Sequence, residues 1–89
     1  MRAFTLAEHL QTILKKIFKK NHFLYEQIMK KINEIVNCSD VEHYKNLKHD
    51  MKDSKRAHIG HFVLIFQYDK FQDVIHFVDF DHHDKVYSK

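Results

Sequence analysis

Apolar residues recur at helical spacing through the first third of the chain and at alternate positions through the last third. Leu6, Leu10, Ile13, Leu14 and Ile17 form one stripe, with Lys15, Lys16 and Lys19 turned away from it, as in a helix that buries one side. Thr5-Leu6-Ala7-Glu8 has the form of a capping box, so this helix is expected to begin near Leu6. Asn21 breaks the pattern and is a cap for a second helix, whose stripe is Leu24, Tyr25, Ile28, Ile32, Ile35 and Val36. A connection this short makes the two helices an antiparallel hairpin. Asn37-Cys38-Ser39-Asp40 ends the second helix with residues that favour caps and turns. From Val41 to Ser54 there is charge but little periodicity.

The period then changes to two. Ala57 and Ile59 alternate with Arg56 and His58 in a short strand, and Gly60, the only glycine, supplies a turn. Phe62, Leu64, Phe66 and Tyr68 define one face of the next strand, while His61, Val63, Ile65 and Gln67 point the other way. Asp69 to Asp73 is a polar loop, and Val74 to Phe80 is apolar enough for an inner strand. Ala3-Phe4 is a candidate edge strand. The pattern predicts an α+β domain, an N-terminal antiparallel helical hairpin packed on one face of a small antiparallel β-sheet. The other face is expected to be open and to present Arg56, His58 and His61.

Composition narrows the setting. A chain of 89 residues that is 44% hydrophobic supports one domain, residues 1–89, with a modest core. Cys38 is the only cysteine, and no run of eighteen apolar residues is present, so the expected setting is a reducing cytoplasm with no membrane. Charge is uneven, with twelve Lys/Arg against seven Asp/Glu in residues 1–60 and three against five in residues 61–89. The basic part is compatible with a nucleic-acid surface. Histidine changes the picture more, because nine imidazoles in 89 residues supply groups that titrate near neutral pH.

The order of helical hairpin, basic connector, strand hairpin, strand and short tail resembles the RelE/ParE superfamily of toxins. The run from Ala57 to Phe66 is similar to the Ala-His-(Val/Ile)-Glu-Pro-Asp-Trp-(Ile/Leu)-Leu-Ile-Tyr run of YafQ-type mRNA interferases, with a turn one residue shorter. The tail His83-Asp84-Lys85-Val86-Tyr87 is similar to their His-x-x-Leu-Phe ending. Leu47, eleven residues before His58, also fits the family spacing. The resemblance implies a type II toxin that cuts mRNA on the ribosome without a cofactor and is silenced by an antitoxin of the RelB or DinJ kind. It assigns His58 and His83 to catalysis and Tyr87 to the aromatic position. His61 stands where the family has aspartate, Lys45 where it has histidine, and Val63 where RelE carries an arginine.

Metal-free RNA cleavage requires a base for the 2′-OH, an acid for the leaving 5′-oxygen and a cation near the phosphorane. His58 and His83 are the candidate acid and base, in either order. His61, Arg56 and Lys45 are candidates to stabilise the phosphate, and Tyr87 to stack on a base. Lys48, Lys52, Lys55 and His82 complete the candidate substrate contacts, and Lys15, Lys16 and Lys19 are available to ribosomal RNA. Asp81-His82-His83-Asp84 has metal-ligand types, but no cysteine or spaced His-x-x-x-His completes a tetrahedral set, so no metal is expected. Two other readings come from the same superfamily: a ParE-like toxin that inhibits DNA gyrase, and a member without catalysis that only binds a partner.

Overall fold

The computed structural model describes residues 1–46 and 54–87. Strand β1 (Ala3–Leu6) leads into helix α1 (Glu8–Lys20), and Asn21 alone separates it from α2 (His22–Asn37). Asn21 closes one helix and opens the next. Its amide donates to Ile17 O at 2.8 Å, and its Oδ1 accepts from Leu24 N at 3.1 Å. A 3₁₀ turn over Val41–His43 follows, then β2 (Lys55–Ile59), β3 (Phe62–Asp69), β4 (Val74–His82) and a short helix α3 (His83–Tyr87).

The first helix starts at Glu8 and not near Leu6, because Thr5 and Leu6 are taken by β1. β1 runs parallel to β4, with Thr5 opposite His76 and Leu6 opposite Phe77. Thr5 Oγ1 lies 2.7 Å from His76 Nδ1, and Ala7 N donates to Phe77 O at 2.9 Å. The expected capping box therefore does not form; Ala7 is the N-cap and makes no side-chain cap. The strand order is β1-β4-β3-β2. The sheet is antiparallel except at this parallel edge.

Leu10 and Leu14 of α1 and Ile28, Ile32, Ile35 and Val36 of α2 pack on Leu64, Phe66, Ile75, Phe77 and Phe80. Phe77 and Phe80 both reach this core although they are three apart. Between Ile65 and Phe66 the β3–β4 register shifts, so Ile65 faces Asp79 and Phe66 faces Phe77, and one extra residue in β4 resets its alternation. At the β2–β3 turn Gly60 has φ +59°, the left-handed conformation that favours a residue without Cβ.

The second face of the sheet is not open throughout. Val63, Ile65 and Val86 form a small cluster of their own with half-buried Val78. Val63 and Ile65 do point away from the hairpin, as their alternation requires, and α3 covers them. At the other end Arg2 ties three elements together. Its guanidinium donates to the carbonyls of Val36, Cys38 and Ser39 and, at 2.7 Å, to Asp73 Oδ1. Tyr68 OH also donates to Asp73 Oδ1, at 2.6 Å. Together these two donors hold the Asp73 carboxyl below the usual carboxylate range.

Candidate active site

In β2 the alternation sends Ala57 and Ile59 into the core, and Arg56 and His58 to the face that α3 partly covers. His58 pairs in register with Val63, which pairs in turn with Asp81. β4 therefore delivers the chain to α3 beside His58. His83 is the first residue of α3, and its amide donates to His61 O at 2.8 Å, tying the start of this helix to the Gly60 turn. From the other end of α3, Val86 sits against Val63 and Ile65.

These constraints bring the rings of His58 and His83 to a centroid separation of 5.6 Å, tilted by 31°. Burial lowers the His58 pKa from its ordinary value, and the positive charges of Arg56 and His83 lower it further. Its neutral form is thereby favoured. The His83 side chain stays half exposed, with Asp84 Oδ1 3.8 Å from its Nδ1.

The other candidates divide into groups. His61, expected on the same polar face as His58, lies in the turn and stacks with His82 at 6.2 Å and 15°. His82 in turn meets the edge of Phe62, whose ring stacks on Phe80 of the helix-side core. The four rings thus pair as His58–His83 and His61–His82, and Asp84, 3.8 Å from both His82 Nδ1 and His83 Nδ1, joins the two pairs. Lys45 is held beside β2, since its carbonyl accepts from Arg56 N at 3.0 Å. Lys45, Arg56 and His58 share a depression of about 380 Å³ with Lys31, His43 and Tyr44.

Lys55 has the parity of Ala57 and turns away from His58; its Nζ donates to Tyr44 O at 3.2 Å and to Asn46 Oδ1 at 3.5 Å. The structure does not bring it to the histidine pair. Tyr87 is the last residue of α3, one turn after His83. Lys48, Lys52 and Leu47 lie outside the described residues. Among the described residues no three His, Cys, Asp or Glu side chains converge as a possible metal set, and no helix is long and apolar enough to cross a membrane. His43 and Tyr44 are not among the candidate site residues that the sequence offers, because the stretch around them carries no periodicity that would place them on a face.

A helical hairpin on one side of a four-stranded sheet, with a short helix closing the other side, defines the fold class of the small RelE-type toxins. The crystal structure of the isolated E. coli RelE toxin matches with a TM-score of 0.76 at 18% identity, over 99% of this chain and 93% of that one. The toxin in the intact E. coli RelBE toxin–antitoxin complex matches with a TM-score of 0.75 at 17% identity, over 92% and 96%. A metal-bound toxin from Helicobacter pylori matches with a TM-score of 0.76 at 20% identity, over 98% and 100%. At these identities the likeness shows the fold.

The family follows from sequence. The chain belongs to the ParE toxin family of type II toxin–antitoxin systems, within the RelE/ParE superfamily, and the family model matches residues 5–87. A Methanocaldococcus jannaschii protein named "Putative toxin RelE4" is 44% identical over 81 residues, covering 90% of this chain and 84% of the relative. An uncharacterized Methanosarcina mazei protein is 40% identical over 83 residues, covering 92% and 94%.

Proposed function

We propose that this toxin is an endoribonuclease that cuts mRNA on the ribosome in the cytoplasm, with His58 as general base and His83 as general acid. The observation that carries the reading is the 5.6 Å approach of the two imidazoles on a solvent-facing part of the sheet. Neutral His58 accepts the proton of a 2′-OH, and the 2′-oxygen attacks the adjacent phosphorus. Protonated His83 donates to the departing 5′-oxygen, leaving a 2′,3′-cyclic phosphate and a 5′-hydroxyl. The lowered proton affinity of His58 favours the base role for that residue. Arg56, two residues earlier on the same face, supplies positive charge toward the phosphorane. No metal enters this scheme. An antitoxin segment that folds over the toxin would silence it by covering the histidine pair.

A second reading is a ParE-like inhibitor of DNA gyrase, favoured by the ParE family model that matches most of the chain. A shared fold serves both activities, so expression separates them. Induced without its antitoxin, the toxin is expected to arrest growth and leave transcripts cut within codons, and His83→Ala is expected to lose both effects. Growth arrest that survives His83→Ala, with whole transcripts and a DNA-damage response, would establish the gyrase reading instead.

A further inference from the structure

The acid–base pair accounts for His58 and His83 but leaves the depression beside them unused. Its floor is built before any ligand arrives. Tyr44 is half-buried and meets Phe66 edge-on, with centroids 5.5 Å apart at 84°. His43 lies against Tyr44 at 4.2 Å and 33°, and its Nδ1 is bonded to the Asp40 carbonyl. The 3₁₀ turn that carries His43 is fixed at its start. Asp40 Oδ1 accepts from Glu42 N at 3.2 Å, and Val41 is buried in the main core. A surface aromatic fixed in this way loses little side-chain entropy when another ring stacks on it.

Positive charge borders the platform. The bond from Arg56 N to Lys45 O and the bridge between Asn46 and Lys55 set Lys45 and Arg56 on neighbouring backbone segments. Lys31 lines the same depression, with its charge offset by Glu34 at 3.0 Å. A volume of about 380 Å³ is within the range of small-ligand sites, about 300–1,000 Å³. His58 lines the depression too, so whatever occupies it lies next to the proposed base.

We infer that this depression seats one nucleotide of single-stranded RNA adjacent to the cleaved phosphodiester, its base on the His43 ring and its phosphate between Lys45 and Arg56. Aromatic faces accept any base and basic side chains accept the backbone, so the site fixes register and tolerates all four bases. As a subsite of the cleavage reaction the inference rests on the function proposed above. As a nucleotide site it can be tested separately.

The four nucleoside 5′-monophosphates and inorganic phosphate are titrated into the purified protein and followed through backbone amide and imidazole resonances. Nucleotides are expected to shift His43, Lys45, Arg56 and His58, and to bind more tightly than inorganic phosphate. His43→Ala is expected to weaken nucleotide binding about tenfold, the scale of one lost base stack, while inorganic phosphate binding stays the same. Lys45→Gln is expected to weaken both. The amide spectrum of each variant verifies that it folds. Nucleotides that bind no better than inorganic phosphate, that shift residues elsewhere, or that are indifferent to His43→Ala would overturn the subsite. Transcript cleavage by the wild-type toxin, set beside this titration, separates the two claims. Whole transcripts with nucleotide binding intact would remove the nuclease and leave the site, whereas cut transcripts without nucleotide binding would remove only the subsite.

Discussion

Replacing Val86 with alanine is expected to unfasten the His58–His83 ring pair while leaving the domain folded. α3 has five residues, and an isolated helix shorter than roughly 12–15 residues is marginal in water, so its position depends on what it packs against. Val86 is 8% exposed and belongs to a cluster with Val63 and Ile65 that is separate from the main core. Removing two methyl groups at about 0.8 kcal/mol per buried carbon, with a cavity that a surface helix can partly collapse, costs roughly 1.5–2 kcal/mol. At about tenfold per 1.4 kcal/mol, docking of α3 weakens by roughly ten- to thirtyfold. The bond from His83 N to His61 O still holds the start of the helix, so Lys85 to Tyr87 should release first. Amide exchange is expected to accelerate in α3 and to stay slow in β3 and β4. The ring contact between His58 and His83 should weaken in a proton NOE experiment, and RNA cleavage should fall with it. Because the cost falls on docking of α3, which releases before the main core melts, Tm should drop by less than about 5 °C, against more than about 12 °C for a Phe66→Ala variant that costs about 3–5 kcal/mol. Val86→Asp, which sets a carboxylate against valines, should exaggerate the pattern. An α3 that stays protected in both variants, or a Tm loss as large as that of Phe66→Ala, would refute the idea that this helix is separately docked.

Three further outcomes follow from the geometry. Arg2→Met strips donors from the Val36, Cys38 and Ser39 carbonyls and is expected to cost about 1–2 kcal/mol in chemical denaturation, with the exposed Asp73 pair contributing little. Gly60→Ala meets nothing within 4 Å, so its cost should be the backbone term alone, about 1–2 kcal/mol, and Gly60→Asn should cost less. His58 titrates below the ordinary histidine value of 6.5, so on acidification the unfolded chain takes up this proton before the folded one. The His58 contribution to stability is intact above that value and is lost as pH falls from it toward the folded pKa. Thermal melts from about pH 7.5 down to about 5 should therefore lose stability less steeply in His58→Gln than in the wild type.

Much of this architecture could be read before any coordinates. The stripes that include Leu10 and Leu14, then Ile28, Ile32 and Ile35, identified the hairpin, and Asn21 and Gly60 marked turns whose chemistry is local. What escaped reading was non-local. Thr5 and Glu8 satisfy a capping pattern, yet pairing of Thr5 with His76, 71 residues away, claims the hydroxyl first. Val63 and Ile65 face away from the helices as alternation requires, but only the docking of Val86 decides that they are buried. The register shift in β4 likewise cannot be seen in a residue pattern that simply looks apolar. Within the site, His58 and His83 were legible through the family resemblance and the structure brings their rings together. The separation of His61 and His82 into a second pair depends on turn geometry, and the His43–Tyr44 platform arises from packing on Phe66.

The central claim is that His58 and His83 act together on a 2′-hydroxyl and its phosphate. End-group analysis of transcripts from cells expressing the toxin tests it most directly. The upstream fragment is expected to end in a 2′,3′-cyclic phosphate and the downstream fragment to begin with a 5′-hydroxyl, both absent when either histidine is replaced by alanine. Fragments ending in 3′-hydroxyl and 5′-phosphate, or cyclic-phosphate ends that persist at undiminished yield in His58→Ala and His83→Ala, would contradict it.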